Sequence, residues 1–210
     1  MRNATRIIAS TFGLLAGLAG LEHGIGETLQ GNRAPTGIMI ESWPTSTSMR
    51  VLGGEPAMTL IPNLLVSGLL TILVSLILLL WVAKFVKWRP SGLILLLLSV
   101  SLLLVGGGFG PPVLGFIAAA VATRINVSHR WWRSHLSAPT QRRLTNVWPW
   151  SFALCLGAWL LLFPGTLIIG YYLPLLIPSL LYMLILLAFG SLLVTIGVGF
   201  VHDSYGQAVS

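Results

Sequence analysis

Charged residues are scarce in this sequence. Asp, Glu, Lys and Arg together make up 8% of its 210 residues, and only five of them are acidic. A water-soluble domain carries about 25% charged residues, so a soluble globular fold is excluded. There is one cysteine, Cys155. It cannot close an internal disulfide or supply a thiolate metal cluster, and its place inside an apolar run makes it a small packing residue. Gly-x-Ser-x-Gly, His-Glu-x-x-His and Cys-x-x-Cys do not occur, nor does a glycine-rich phosphate loop or a pair of aspartates suited to prenyl or phosphoalcohol transfer. No catalytic residue can be named, and the sequence leans away from an enzyme. No internal repeat suggests transporter-like symmetry.

Apolar residues make up 55% of the chain. Runs such as Leu64–Ala83 are long enough to span a hydrocarbon core of roughly 30 Å. Five apolar blocks stand out, at about 6–29, 58–86, 91–124, 147–172 and 174–201. The third, as a single helix, would reach roughly 51 Å, too long for one ordinary crossing. Its middle reads Gly106-Gly107-Gly108-Phe109-Gly110-Pro111-Pro112. Tandem proline removes two backbone donors, and the glycines make a turn easy. Splitting the block into crossings 91–107 and 111–126 places ten of the twelve basic residues on one side, with only Arg33 and Arg50 opposite. Lys and Arg bias in short loops sets orientation. The expected fold is therefore all-α, a polytopic transmembrane bundle forming a single domain over 1–210. It has six crossings, at about 6–29, 58–86, 91–107, 111–126, 147–172 and 174–201, with both termini in the cytoplasm. Residues 30–57 form an outer loop and 127–146 a basic inner loop. Arg2, Arg6 and the apolar stretch to Gly17–Ala19 have the outline of a signal peptide. The stretch runs on to about Leu29 and is read as a retained membrane helix.

The net charge of +7 follows from this topology, and nucleic acid is not an expected partner. Trp81, Trp88, Trp148 and Trp150 mark membrane interfaces. Arg130, Trp131, Trp132 and Arg133 form a surface segment expected to attract anionic lipid headgroups, at about 1 kcal/mol per basic residue. The expected partners are membrane lipids, with a membrane-protein partner or homo-oligomer open.

The five acids are Glu22, Glu27, Glu41, Glu55 and Asp203. Four belong to the outer half of the first crossing or to the loop after it. On the first helix Gly13, Gly17, Gly20 and Gly24 form a smooth stripe that lets another helix approach. Glu27 edges this stripe, His23 lies one turn before it, and Glu22 points away. A carboxylate within the membrane costs about 2.5–3.5 kcal/mol at a helix centre, so such residues face protein or a watery cavity. Glu22, His23 and Glu27 are candidates for binding a cation, proton or polar ligand; a purely structural contact at an interfacial helix end is the competing reading. The Glu-His-x-x-x-Glu spacing is too short and too common to name a metal, and neither a metal nor a cofactor is expected.

Pro56 in Gly53-Gly54-Glu55-Pro56 suits the first position of the second crossing, with Glu55 before it meeting the helix dipole. Asn63, after Pro62, is placed within that helix, free to satisfy opened backbone or a ligand. Glu55 and Asn63 join the candidate ligand residues. Pro164-Gly165, Pro174 and Pro178 fall with the Gly106–Pro112 turn in outer halves, and together these breaks suggest an outward-facing polar pocket. His202 and Asp203 read as a solvated helix end, and His129 and His135 as interfacial.

Leu21-Glu22-His23-Gly24, Glu27, Leu29-Gln30-Gly31-Asn32, Gly54-Glu55-Pro56-Ala57 and the Gly-Gly-Gly-Phe-Gly-Pro-Pro turn resemble an uncharacterised group of small prokaryotic multi-pass membrane proteins. The resemblance covers roughly residues 1–125, implies a prokaryotic plasma membrane and implies no activity. The expected function is binding of a lipid or small molecule in the outward-facing pocket, with a link to transport. The alternative is a non-catalytic subunit or assembly factor of a larger membrane complex.

Overall fold

A computed structural model describes residues 3–46, 49–127, 130–173 and 177–209. The chain falls into two compact units, Ala9–Asn126, and Met1–Ile8 with Val127–Ser210.

The Ala9–Asn126 unit contains most of helix α1 (Ala4–Leu29), a hairpin of β1 (Met39–Glu41) and β2 (Pro56–Met58), and helices α2 (Leu64–Phe85), α3 (Ser91–Val105) and α4 (Gly110–Ala122). The glycine stripe of α1 is filled by α2. A Cβ at Gly13 would meet Val82, one at Gly17 Leu79, one at Gly20 Ser75, and one at Gly24 the Gly68 carbonyl 2.9 Å away. Gly24 and Gly68 thus let two backbones touch where any side chain would hold them apart.

The start of α2 differs from the sequence expectation. Pro56 lies in β2 and the helix begins at Leu64. Gly53, Gly54 and Glu55 all take positive φ (65°, 73° and 58°). Three left-handed residues in a row fold the chain back along β1, where Ile40 pairs with Ala57. Asn63 is the N-cap of α2. Its side-chain oxygen accepts from the Val66 N–H at 3.1 Å, and its amide donates to Asn32 Oδ1 at 2.6 Å, satisfying a donor that the first turn leaves free.

The glycine-proline break reverses the chain. Gly92 lies against Thr123 and Ala119, and Gly115 against Ser99, so α3 and α4 are antiparallel. Gly106 and Gly108 carry φ of 115° and 72°, and residues 106–108 are buried. This turn packs within the unit.

The second unit holds the first residues of α1 together with α5 (Arg130–His135), α6 (Ala138–Leu160), α7 (Thr166–Tyr172) and α8 (Ile177–Val209). Helices α6 and α8 pack together, with Thr195 donating to the Ser151 carbonyl at 2.9 Å and Trp159 meeting Phe189 edge-on. Between α6 and α7 the turn Leu161–Gly165 opens into π geometry, and Phe163 leaves the helical region (φ −154°, ψ 121°) just before Pro164. A proline inside a helix removes a donor and displaces the preceding turn. Pro178 is the second residue of α8; Arg2, His129 and Pro174 lie outside the described residues.

Asp203 does not form a solvated helix end. It is buried, and its carboxylate accepts from the Ala4 N–H (2.7 Å), the Thr5 N–H (2.9 Å) and the Thr5 hydroxyl (2.6 Å). The cause is the orphan donors of the first turn of α1, which an anion at the positive end of the helix dipole satisfies.

Among the described residues four helical stretches are long and apolar enough to cross a membrane: Ala4–Leu29, Leu64–Phe85, Ala138–Tyr172 and Leu180–Gly206. Helices α3 and α4 are apolar but shorter, at 15 and 13 residues. This is the make-up of an integral membrane protein, built mainly from helices.

Candidate functional site

The polar residues at the end of α1 converge in the Ala9–Asn126 unit under two covers, the hairpin and the Gly106–Gly108 turn. His23 and Glu27 are one helical turn apart on the same face of α1, and both are buried, Glu27 at 0% exposure. The hairpin brings Ser42 and Glu55 to them. His23 Nδ1 is 2.8 Å from Ser42 Oγ, and Ser42 Oγ reaches Glu27 Oε1 at 3.5 Å. The other imidazole nitrogen, Nε2, lies 3.0 Å from Glu55 Oε2. Glu22, His23 and Glu55 each offer one atom within 4.8 Å of the others. The turn closes the far side. A Cβ at Gly106 would strike the Glu27 carboxylate, and one at Gly108 would strike His23 Nε2.

The hydrogen-bond capacity of these groups is poorly filled. Glu27 Oε2 and both oxygens of Glu22 are buried without a hydrogen-bond partner. The Trp43 indole N–H lies near Glu22 but does not reach hydrogen-bond geometry. Among the described residues no Lys or Arg forms an ion pair with these acids; the one ion pair in the cluster is His23 with Glu55. Three carboxylates face a single imidazole, so the ionised cluster is net negative whether or not His23 carries a charge. Buried polar groups are normally paired, and buried charges more so.

A second polar layer lies in the first two turns of α2. Ser67 and Thr71 both donate to the Val105 carbonyl, at 2.6 and 2.7 Å, and Thr59 Oγ1 is 2.7 Å from Ser67 Oγ. These bonds hold the last carbonyl of α3 and so fix the Gly106–Gly108 turn. Gln30 anchors the hairpin from the other side, its amide donating to the carbonyls of Glu41 and Ser42 at 2.9 and 3.1 Å. Beyond this wall a hollow of about 540 Å³ opens, lined by Gln30, Arg33, Met39, Glu41, Pro56 and Leu64 among others.

The structure therefore brings together Glu22, His23, Glu27 and Glu55 and leaves Asn63 outside, capping α2. Ser42 was not foreseen. It lies 19 residues from His23 in a loop, and no spacing marks it. In the other unit Trp131 and Trp132 of α5 meet edge-on, with Trp131 largely exposed and stacked on His135. Arg133 belongs to the same helix, and the Arg130 side chain lies outside the described residues. Comparison of the chain with protein-family models, with curated proteins and with solved structures finds no match.

Proposed function

We propose that this chain is a six-crossing protein of a prokaryotic plasma membrane, with both termini in the cytoplasm. In this reading the outer end of the Ala9–Asn126 unit binds a lipid headgroup or small molecule carrying a cationic group. The observation that carries the proposal is Glu27: a wholly buried carboxylate with an unpartnered oxygen, sharing His23 with two further acids and, among the described residues, paired with no Lys or Arg. Such an arrangement is costly in a membrane protein unless a positive group completes it.

The topology supports an outward site. Helices α3 and α4 have lengths of about 22 and 20 Å at 1.5 Å per residue, less than a hydrocarbon core of roughly 30 Å. As two short crossings they leave their connecting turn below the outer surface, among protein groups that satisfy its backbone. The ten inward basic residues orient the bundle, and Trp131, Trp132, Arg130 and Arg133 are proposed to rest on anionic headgroups at the inner surface. Transport is a smaller part of the proposal, since the inner halves of the helices offer only sparse hydroxyls. The alternative, a non-catalytic subunit, loses one support because the glycine stripe of α1 is occupied by α2 of the same chain.

The test is native mass spectrometry of protein purified in mild detergent. Wild type carries a stoichiometric non-polypeptide species, which Glu27→Gln loses and Asn63→Ala retains. A stable polypeptide partner with no such species would establish the subunit reading instead.

A further inference from the structure

Resting on the reading that this cluster takes up a positively charged ligand, we infer that Glu22, His23 and Glu55 bind a divalent first-row transition-metal ion, Zn²⁺ or Mn²⁺, directly. Three observations converge on it. First, the donor set is an imidazole nitrogen and two carboxylates, each offering one atom within 4.8 Å of the others. Imidazole suits Zn²⁺ and its neighbours, and carboxylate suits Mn²⁺ and Zn²⁺ alike. Two such ligands about 2.1 Å from one ion, at angles between square and tetrahedral, stand about 3.0–3.4 Å apart. His23 Nε2 and Glu55 Oε2 are 3.0 Å apart.

Second, the hydrogen bonds occupy Nδ1 of His23 and turn Nε2 towards Glu55. A carboxylate only accepts, so the Ser42 hydroxyl donates to Glu27 Oε1. Ser42 Oγ then accepts from His23 Nδ1–H, and in a neutral imidazole the lone pair sits on Nε2, facing the Glu55 carboxylate. A metal ion can take the place of the proton that otherwise joins Nε2 to the Glu55 carboxylate. The relay from His23 through Ser42 to Glu27 is the supporting arrangement that fixes the tautomer and ring plane of a metal-bound histidine.

Third, Glu27 is wholly buried with two hydroxyls near it: Ser42 reaches Oε1 only at 3.5 Å, and Ser67 donates to the Val105 carbonyl, leaving Oε2 without a hydrogen-bond partner. It faces the same glycine turn as His23. Its charge adds to those of Glu22 and Glu55, and with Glu27 ionised a divalent ion offsets more of the cluster's negative charge than a proton does.

The experiment strips the detergent-solubilised wild type with a chelator, adds Zn²⁺ or Mn²⁺, and reads bound metal by mass spectrometry and the shift in melting temperature. Wild type takes up about one ion per chain and melts higher. Glu55→Gln weakens uptake at least tenfold, and Ser42→Ala weakens it about 10–100-fold, as supporting-residue changes do. Asn63→Ala changes neither. If stripped wild type takes up neither ion and its melting temperature does not rise when either is added, the metal inference is overturned. An organic cation retained by wild type and lost in Glu27→Gln would then leave the ligand reading standing. If wild type carries neither metal nor organic species, both fail. Because the reloaded wild type is compared with itself, misfolding of a variant cannot decide the outcome.

Discussion

Gly108→Ala is expected to be among the most damaging small substitutions in the chain. Two costs coincide there. The residue has φ 72°, where a side chain costs about 1–3 kcal/mol. The added methyl would also occupy the place of His23 Nε2, and overpacking of this kind costs about 1–3 kcal/mol. Together they predict a loss of about 2–6 kcal/mol, read as a fall in the melting temperature of the detergent-solubilised protein. The site should suffer as well, because His23 can yield only by leaving Ser42 or Glu55. Gly110→Ala, two residues on, is the control: nothing lies within 4 Å of its Cβ position, so its stability should stay near that of wild type. A similar melting temperature for both variants would mean that the turn does not press on the site.

Asp203→Ala should be comparably severe in the other unit. The carboxylate accepts three hydrogen bonds from Ala4 and Thr5, both wholly buried. Removing it strands two backbone donors and a hydroxyl and withdraws the negative charge from the start of α1. Breaking a buried charged contact of this kind costs about 3–5 kcal/mol, part of it the desolvation of donors left unpaired. Asp203→Asn keeps one carbonyl acceptor and should lose roughly half as much. The local readout is hydrogen exchange at residues 4–8, which should accelerate strongly in Asp203→Ala and modestly in Asp203→Asn. Unchanged protection at Thr5 would show that the cap contributes nothing.

These two positions illustrate what the sequence could and could not reveal. The helices were legible because long Leu-rich runs have few alternatives, and the reversal at Gly106–Pro112 was legible because tandem proline beside glycine cannot continue a helix. That Gly106 and Gly108 also form a wall of the polar site was not legible, since a turn signal says nothing about what packs on it. Glu22, His23, Glu27 and Glu55 stood out because acids are rare in apolar surroundings. Ser42 did not, because one hydroxyl in a polar loop carries no pattern. The hairpin was hidden for a related reason: strands of three residues are too short to show alternation, and Pro56 reads equally well as a helix start. Asp203 was misread because its partners, the free donors of α1, are about 200 residues away in sequence.

The site draws on both kinds of feature. Conspicuous acids from α1 meet inconspicuous loop residues, and glycines exclude everything else. A cluster of this composition opposes folding when nothing positive occupies it, so stability and binding pull in opposite directions. A purely structural cluster behaves the other way, because each of its members contributes to the folded state.

The melting temperature of chelator-stripped, ligand-free Glu27→Gln against equally stripped wild type separates the two directly. If Glu27 is held for a positive ligand, neutralising it relieves a buried, poorly partnered charge. The variant then melts higher, by the equivalent of about 1–3 kcal/mol, and no longer gains stability when the ligand is restored. A stripped Glu27→Gln that melts lower than stripped wild type would contradict the account and make the cluster a structural contact.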